Sequence, residues 1–228
     1  MLLLILGRGK TGALVAEVAR QRGHGVRTAG HAENQAGKSL TPESLKDVAV
    51  AIDFTTPQAV LDNIGACCRA RKNIVVGTTG WYDRLDEIRN LVKRSGNGVL
   101  YASNFSIGMN IFFDVVQAAA AALKHGYSGQ IMERHYAQKK DAPSGTALAL
   151  QRIVREKGGQ EVEIISFREG ETVGLHELAL ESANDSIRLA HDAKSRYGFA
   201  EGAVRAAEWL AGRSGLFDFS QVWREMPK

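Results

Sequence analysis

The run LLLILGRGKTGALVAEVA, residues 2–19, constrains the fold more than any other stretch. An apolar, strand-like segment meets Gly7, and Gly9 and Gly12 follow in the spacing G-x-G-x-x-G before a helical period begins. Leu14, Val15, Val18 and Ala19 share one face of that helix. A strand turning directly into a helix asks each glycine for something different. Gly7 permits the tight turn, Gly9 lets backbone approach a pyrophosphate, and Gly12 lets helix and strand pack closely. The helix N-terminus then faces the phosphates. Gly7, Arg8, Gly9, Lys10, Thr11 and Gly12 are therefore candidates for holding a dinucleotide. An acidic residue about 20 positions on binds the ribose in such sites. Glu33 is the nearest candidate, a little late, and its other reading is a solvated loop charge. Lys10, Arg27, His31 and Lys38 are the cations available to a 2′-phosphate, so NADH and NADPH both stay open.

The same alternation continues to residue 105. Apolar runs at 48–54, 73–77 and 98–102 read as parallel strands buried on both faces, with a short second strand in 23–30. Helical segments fall at 11–22, 58–71 and 82–95, and Pro57 suits a first helical turn. The pattern predicts an α/β, Rossmann-like, doubly wound sheet. Two turns close strands at its carboxyl edge, where ligands of open α/β sheets bind. They place Gly77, Thr78 and Thr79, and Ala102, Ser103, Asn104 and Phe105, beside a nicotinamide half, although ordinary turn chemistry also favours such residues.

The second half has a different rhythm. An Ala-rich helix at 109–125 precedes strands at 129–135, 161–167, 174–182 and 185–193, and a helix at 199–211 follows. Residues 174–180 alternate apolar and polar side chains, as a half-exposed strand does. This predicts an α+β domain with an open mixed or antiparallel sheet, the border falling near Asn104–Gly108.

Composition narrows the partners. The 228 residues are 44% hydrophobic, enough for one large core or two small ones. Net charge is +4, which fits anionic small molecules, while no basic helix or interleaved aromatic patch points to nucleic acid. Cys67 and Cys68 are the only cysteines and are adjacent, so no disulfide framework or zinc site is expected, and a reducing cytoplasm is. The start MLLLIL is too short for a signal peptide or membrane span and reads as a buried strand. No metal site is expected.

The stretch ERHYAQKKDAPSGTAL, 133–148, carries the chemistry. Pro143 suits the first position of a helix and Asp141 its cap. Ser144, Gly145 and Thr146 then present N–H groups at the positive end of the dipole. A dipole gives an anion only about 0.3–1 kcal/mol, so a cation is needed, and Lys139 or Lys140 supplies it. The lysines precede the glycine, so this is not a Walker phosphate loop, and the anion is a substrate carboxylate. His135 ends a strand four residues before Lys139 and suits proton transfer. Arg196 suits a second carboxylate. The plain alternative is a capped helix with solvated cations.

These motifs occur in an ordered set: the glycine turn, Asp53-Phe54-Thr55-Thr56-Pro57, Val76-Gly77-Thr78-Thr79-Gly80, Asn104-Phe105-Ser106-Ile107-Gly108, His135 with Lys139-x-Asp141-Ala142-Pro143-Ser144-Gly145-Thr146, and Phe199-Ala200-x-Gly202-Ala203. In this the chain resembles the 4-hydroxy-tetrahydrodipicolinate (dihydrodipicolinate) reductase family of lysine and diaminopimelate biosynthesis. The resemblance implies a nucleotide domain of 1–105 with 197–228, and a substrate-binding and oligomerisation domain of 106–196 that builds a homotetramer. It implies hydride transfer from NADH or NADPH to a cyclic dicarboxylate. His135 would donate or accept the proton, and Lys139 would donate a proton and pair with a carboxylate. Tyr136, Ser144, Gly145, Thr146 and Arg196 would bind substrate. Gly7–Gly12, Gly77–Thr79 and Ala102–Phe105 would hold the cofactor. The chain departs from the family pattern at Tyr136, where a second histidine is usual, and at Lys10-Thr11, where Arg-Met is usual. It departs also in the ribose region TAGHAENQ and in the trimmed loop 168–174. Other nicotinamide-dependent dehydrogenases, such as an aspartate dehydrogenase, share the glycine turn without needing the DAPSGT run. A non-catalytic dinucleotide-binding regulator has no need of His135 and Lys139.

Overall fold

The computed structural model describes residues 1–227, which form two compact units. The first runs from Met1 to Ser106 and resumes at Tyr197; the second is Ile107–Arg196. Elements are numbered along the chain. The first unit opens with β1 (Leu2–Leu6), α1 (Lys10–Gln21), β2 (Gly25–Ala29), α2 (Pro42–Leu45) and β3 (Val50–Asp53). It continues with α3 (Pro57–Arg69), β4 (Asn73–Val76), α4 (Leu85–Ser95) and β5 (Gly98–Tyr101). The second holds α5 (Ile107–Ala119), β6 (Ser128–His135), α6 (Gly145–Gly158), β7 (Glu163–Arg168), β8 (Leu175–Glu181) and β9 (Ser186–Asp192). The chain returns to the first with α7 (Tyr197–Leu210), β10 (Gly215–Asp218) and α8 (Phe219–Val222).

The first unit is one parallel sheet in the order β10-β5-β4-β3-β1-β2. Its central strands are buried along most of their length, which explains their unbroken apolar sequences. The edge strand β2 is only partly covered and is accordingly short and mixed. The other edge, β10, has no counterpart in the sequence reading. Its four residues, GLFD, carry too little pattern to be read as a strand, and β5 recruits them by parallel pairing. Helix α7 buries Ala200, Ala203, Val204 and Ala207. An ion pair ties this returning segment to α1: Glu208 accepts from Arg22 at 2.7 Å and lies 2.8 Å from His24 Nε2.

The second unit is a four-stranded sheet, β7-β6-β8-β9. The β6–β8 and β8–β9 pairs are antiparallel, but β6–β7 is parallel because α6 carries the chain across between them. Met109, Phe112 and Val116 of α5 and Leu150 and Val154 of α6 pack with Ile131, Leu178 and Leu180 of the sheet. The stretch Ile107–His125 is long and apolar enough, by length and composition, to cross a membrane. Here its apolar stripe is part of this core. Side chains alternate across a strand, so Glu133 and His135 fall on the same buried face as Ile131. His176 likewise falls in phase with Leu178 and Leu180. Polar groups thus enter the core at one end of the sheet.

Candidate active site

The glycine turn in the first unit is determined by backbone approach. Gly7 has φ +100°, and a Cβ there would lie 2.2 Å from the Phe54 carbonyl oxygen. A Cβ on Gly12 would lie 2.1 Å from the carbonyl oxygen of Gly7. Gly9 differs: a Cβ would meet nothing within 4 Å, so space lies open ahead of α1. Two cavities border it. One, of about 300 Å³, is lined by Gly9, Lys10, Thr11 and Gly12, by Phe54, Thr55 and Pro57, and by Gly77, Thr78 and Thr79. The other, of about 270 Å³, is lined by Gly7, Arg8, Gly9, His31, Asn34 and neighbours. Open space against exposed helix N–H groups fits a dinucleotide pyrophosphate.

Glu33 borders this site without lining either cavity. Its carboxylate accepts from the Gly30 N–H at 2.9 Å and from Arg8 Nη1 at 2.5 Å. Backbone hydrogen bonding and Arg8 hold its carboxyl below the ordinary range. Arg8 also reaches the Thr28 carbonyl at 3.3 Å. Arg27 is turned away, donating to the Ser44 carbonyl at 2.6 Å, and Lys38 is exposed. Residues 102–105 follow β5 at the carboxyl edge but line neither cavity. Ala102 and Phe105 are buried, and the Phe105 ring packs edge-on against Phe54 and Phe219.

Asp53, fully buried at the end of β3, is a site residue that the sequence reading did not single out. Its Oδ1 accepts from the Thr55 N–H at 3.0 Å and from the hydroxyls of Thr55 at 2.8 Å and Thr78 at 2.6 Å. Its Oδ2 accepts from Asn63 at 2.7 Å, and Asn63 in turn accepts from Asn34 at 2.8 Å. One carboxylate thus ties the turns after β3 and β4 to the wall of the second cavity. An acid ending a buried apolar run was the available signal.

In the second unit, cross-strand register sets the polar cluster. Glu133 on β6 lies opposite Ser166 on β7 and His176 on β8, and His135 lies opposite Arg168. Glu133 Oε1 accepts from the Ser144 N–H at 2.9 Å, Ser166 Oγ at 2.7 Å and Arg168 Nη2 at 2.7 Å. Burial alone would raise the carboxyl pKa, but these donors outweigh it and bring it down to about 2. Its Oε2 faces His135 Nδ1 at 3.4 Å and His176 Nε2 at 3.7 Å. Burial lowers His135, aided by the nearby cations Lys139 and Arg168 and opposed by Glu133. Burial and the neighbouring His135 ring bring His176 down to about 4. Glu133, Arg168 and His176 went unread in the sequence; the signal was polar residues in phase with a strand's buried face.

The helix start differs from expectation. Ser144, not Asp141, is the N-cap, its hydroxyl accepting from the Ala147 N–H at 3.2 Å, and Gly145 is the first helical residue. Pro143 lies before the cap. Asp141 instead receives Lys139 Nζ at 2.6 and 2.8 Å. Lys140 is exposed. Gly145 borders open space, Thr146 is half-buried beside it, and Arg196 lies 5.2 Å over the Tyr136 ring. A buried imidazole, a partly buried ammonium and an open helix N-terminus thus share one end of this unit, an arrangement suited to protonating an anionic substrate.

The family model for the N-terminus of dihydrodipicolinate reductase matches residues 1–105, and that for its C-terminus matches 108–223. The chain is 36% identical over 244 residues to the 4-hydroxy-tetrahydrodipicolinate reductase of Christiangramia forsetii, covering 100% of both. It is 35% identical over 193 residues to that of Laribacter hongkongensis, covering 75% of this chain and 71% of the relative. Among solved structures, the dipicolinate-bound dihydrodipicolinate reductase from Paenisporosarcina sp. TG-14 superposes with a TM-score of 0.79, at 22% identity, covering 97% of this chain and 99% of that one. An amine dehydrogenase from Mycobacterium smegmatis shares the fold at a TM-score of 0.65 and 9% identity, covering 100% and 96%.

Proposed function

This chain belongs to the dihydrodipicolinate reductase family, and from that premise we propose how its own residues reduce 4-hydroxy-tetrahydrodipicolinate to tetrahydrodipicolinate in diaminopimelate and lysine biosynthesis. It is a nicotinamide-dependent oxidoreductase. The observation that carries the mechanism is the open N-terminus of α6 beside His135 and Lys139. Replacing a hydroxyl by hydrogen consumes one reduced nicotinamide and one proton, and releases oxidised nicotinamide and water. When bound, the cofactor supplies the hydride. His135 supplies the proton, and Lys139 leaves Asp141 to meet a carboxylate and support proton donation.

The hydrogen bonds support a division of roles within this reading. The Ser144 N–H is committed to Glu133 and its hydroxyl to the Ala147 N–H. Ser144 therefore shapes the turn, while Gly145 and Thr146 meet the carboxylate. Arg196 takes the second carboxylate, with Tyr136 supporting its guanidinium by stacking. The first unit binds cofactor through Gly7–Gly12 and Gly77–Thr79, and residues 102–105 buttress the nicotinamide end. Both NADH and NADPH are used: Glu33 meets the ribose hydroxyls, and Arg8 turns to a 2′-phosphate. The second unit forms a homotetramer through the sheet face opposite α5 and α6, where Phe167 is exposed. The buried, unpaired thiols of Cys67 and Cys68 fit a cytoplasmic setting.

Absorbance at the nicotinamide band, with freshly made substrate and each cofactor in turn, tests the reading. Substrate-dependent oxidation is expected with both. Cofactor binding without turnover would overturn it in favour of a dinucleotide-binding regulator. Light scattering tests the tetramer.

A further inference from the structure

Glu133 is almost wholly buried, yet only one of its oxygens is satisfied by strong donors. Oε1 takes three hydrogen bonds, while Oε2 has no hydrogen-bond partner among the described residues and points at two imidazoles. His135 Nδ1 is likewise buried without a hydrogen-bond partner, 3.4 Å from Oε2. Two unmet groups facing each other across that distance are complementary once Nδ1 carries a hydrogen. A second, independent observation concerns the other ring nitrogen. Gly174 has no positive φ, so its backbone conformation does not call for glycine. A Cβ at that position would stand 3.1 Å from His135 Nε2, 3.5 Å from its Cδ2 and 3.7 Å from His176 Cε1. The glycine keeps the Nε2 side of the ring clear.

We propose that Glu133 is the positioning residue of His135, holding the ring by Nδ1–H so that Nε2, kept clear by Gly174, is the nitrogen that exchanges the proton. This rests on the reading of His135 as the proton donor. In the imidazolium both nitrogens carry hydrogen. Nε2 gives its proton to the substrate as the hydride arrives, and the ring becomes the neutral Nδ1–H tautomer already held by Glu133. Solvent returns a proton to Nε2, and Glu133 stays a carboxylate throughout. The three donors on Oε1 fix that carboxylate, so it orients the ring without turning. Glu133, His135 and His176 also offer three ligand atoms within 4.8 Å of one another. Arg168 on Oε1 already neutralises the one carboxylate among them, which opposes a divalent metal there.

The charged and titratable groups around His135 are Glu133 on its own strand, Arg168 on β7 and His176 on β8. Lys139 and Asp141 lie on the following loop, and His191 on β9 lies behind His176. Only Glu133 and Asp141 favour the imidazolium. Neutralising Glu133 therefore lowers the pKa of His135, and the pH at which kcat/KM falls off on the alkaline side moves down.

The full chain, as wild type, Glu133→Gln, Gly174→Ala and His135→Gln, tests this by steady-state kinetics across pH and by nitrogen-15 NMR of histidine. For Glu133→Gln we expect kcat to fall about 10- to 100-fold, with KM changed much less, and the alkaline limb to move to lower pH. Gly174→Ala should lower kcat without moving that limb. The wild-type spectrum should show His135 neutral as the Nδ1–H tautomer, a result that needs no variant to fold. An Nε2–H tautomer, or a Glu133→Gln enzyme with wild-type kcat and pH limb while His135→Gln is inactive, overturns the positioning role alone. Tight uptake of one zinc ion per chain, lost in Glu133→Gln, also overturns it by assigning the three residues to a metal. Full activity in His135→Gln overturns the proton-donor reading beneath it.

Discussion

The two units build their sites from different material. In the first, the turn around Gly7, Gly9 and Gly12 is backbone, contiguous in sequence, and braced by a carboxylate, Asp53, that accepts four hydrogen bonds. In the second, the site is side chains gathered from separate strands, and Glu133 Oε2, His135 Nδ1 and His176 Nδ1 lack hydrogen-bond partners among the described residues. Buried polar atoms are normally paired. The contrast teaches that the first turn is fixed by contacts already complete in the fold, whereas the second cluster keeps buried polar atoms whose pairing depends on which ring nitrogen carries hydrogen.

The largest test of that contrast is His135→Gln. Turnover should fall about 10²- to 10⁴-fold while the thermal midpoint stays close to wild type. An equal collapse of both would mean that the cluster holds the fold rather than the chemistry. Gly12→Ala is the converse case. Its Cβ meets a carbonyl oxygen that belongs to the turn itself, so about 1–3 kcal/mol of stability, or more, should be lost together with cofactor binding. Gly9→Ala, in open space, should unfold at the wild-type denaturant midpoint yet bind cofactor less tightly in a fluorescence titration. Asp53→Asn should cost about 1–3 kcal/mol, because an amide cannot accept from all the donors the carboxylate satisfies. Urea unfolding and the KM for NADH would both register it.

The pH dependence separates the units further. His176 is neutral in the fold, with a pKa lowered to about 4 against an ordinary 6.5. The unfolded chain therefore binds a proton that the fold refuses between those values, and stability falls as pH drops from 6.5 toward 4. Glu133 extends the loss from its ordinary 4.5 down to about 2. Melting midpoints should fall across this whole window, and His176→Asn should flatten its upper part. The smallest effect belongs to Arg8→Ala. The Arg8–Glu33 pair is exposed and contributes little to stability, so only the ratio of KM values for NADPH and NADH should change, by a few-fold. An unchanged ratio would remove Arg8 from 2′-phosphate recognition.

Legibility followed the same divide. Strand, turn and α1 were readable because Gly7-x-Gly9-x-x-Gly12 answers local demands within a few residues of chain. His135, Lys139 and the start of α6 were readable because they also lie within one short stretch. Arg168 and His176 were not, because their meaning depends on a register with β6 that no local pattern states. Helix capping was half-read: a helix begins after the Asp-Ala-Pro corner, but Ser144 won the N-cap because its hydroxyl reaches the Ala147 N–H while Asp141 is engaged by Lys139.

By itself, then, the sequence determined the βαβ rhythm of the first unit, the position of its glycine turn, the short stretch that carries His135 and Lys139 and the family likeness, since each is a matter of short-range sterics and spacing. Only the tertiary structure decided that β10 completes the first sheet, that Asp53 braces two turns at once, and that Glu133 stands between His135 and His176. Those depend on pairing between segments far apart in the chain. There the cost of burying a charge is offset by partners that the strand order brings within hydrogen-bond reach.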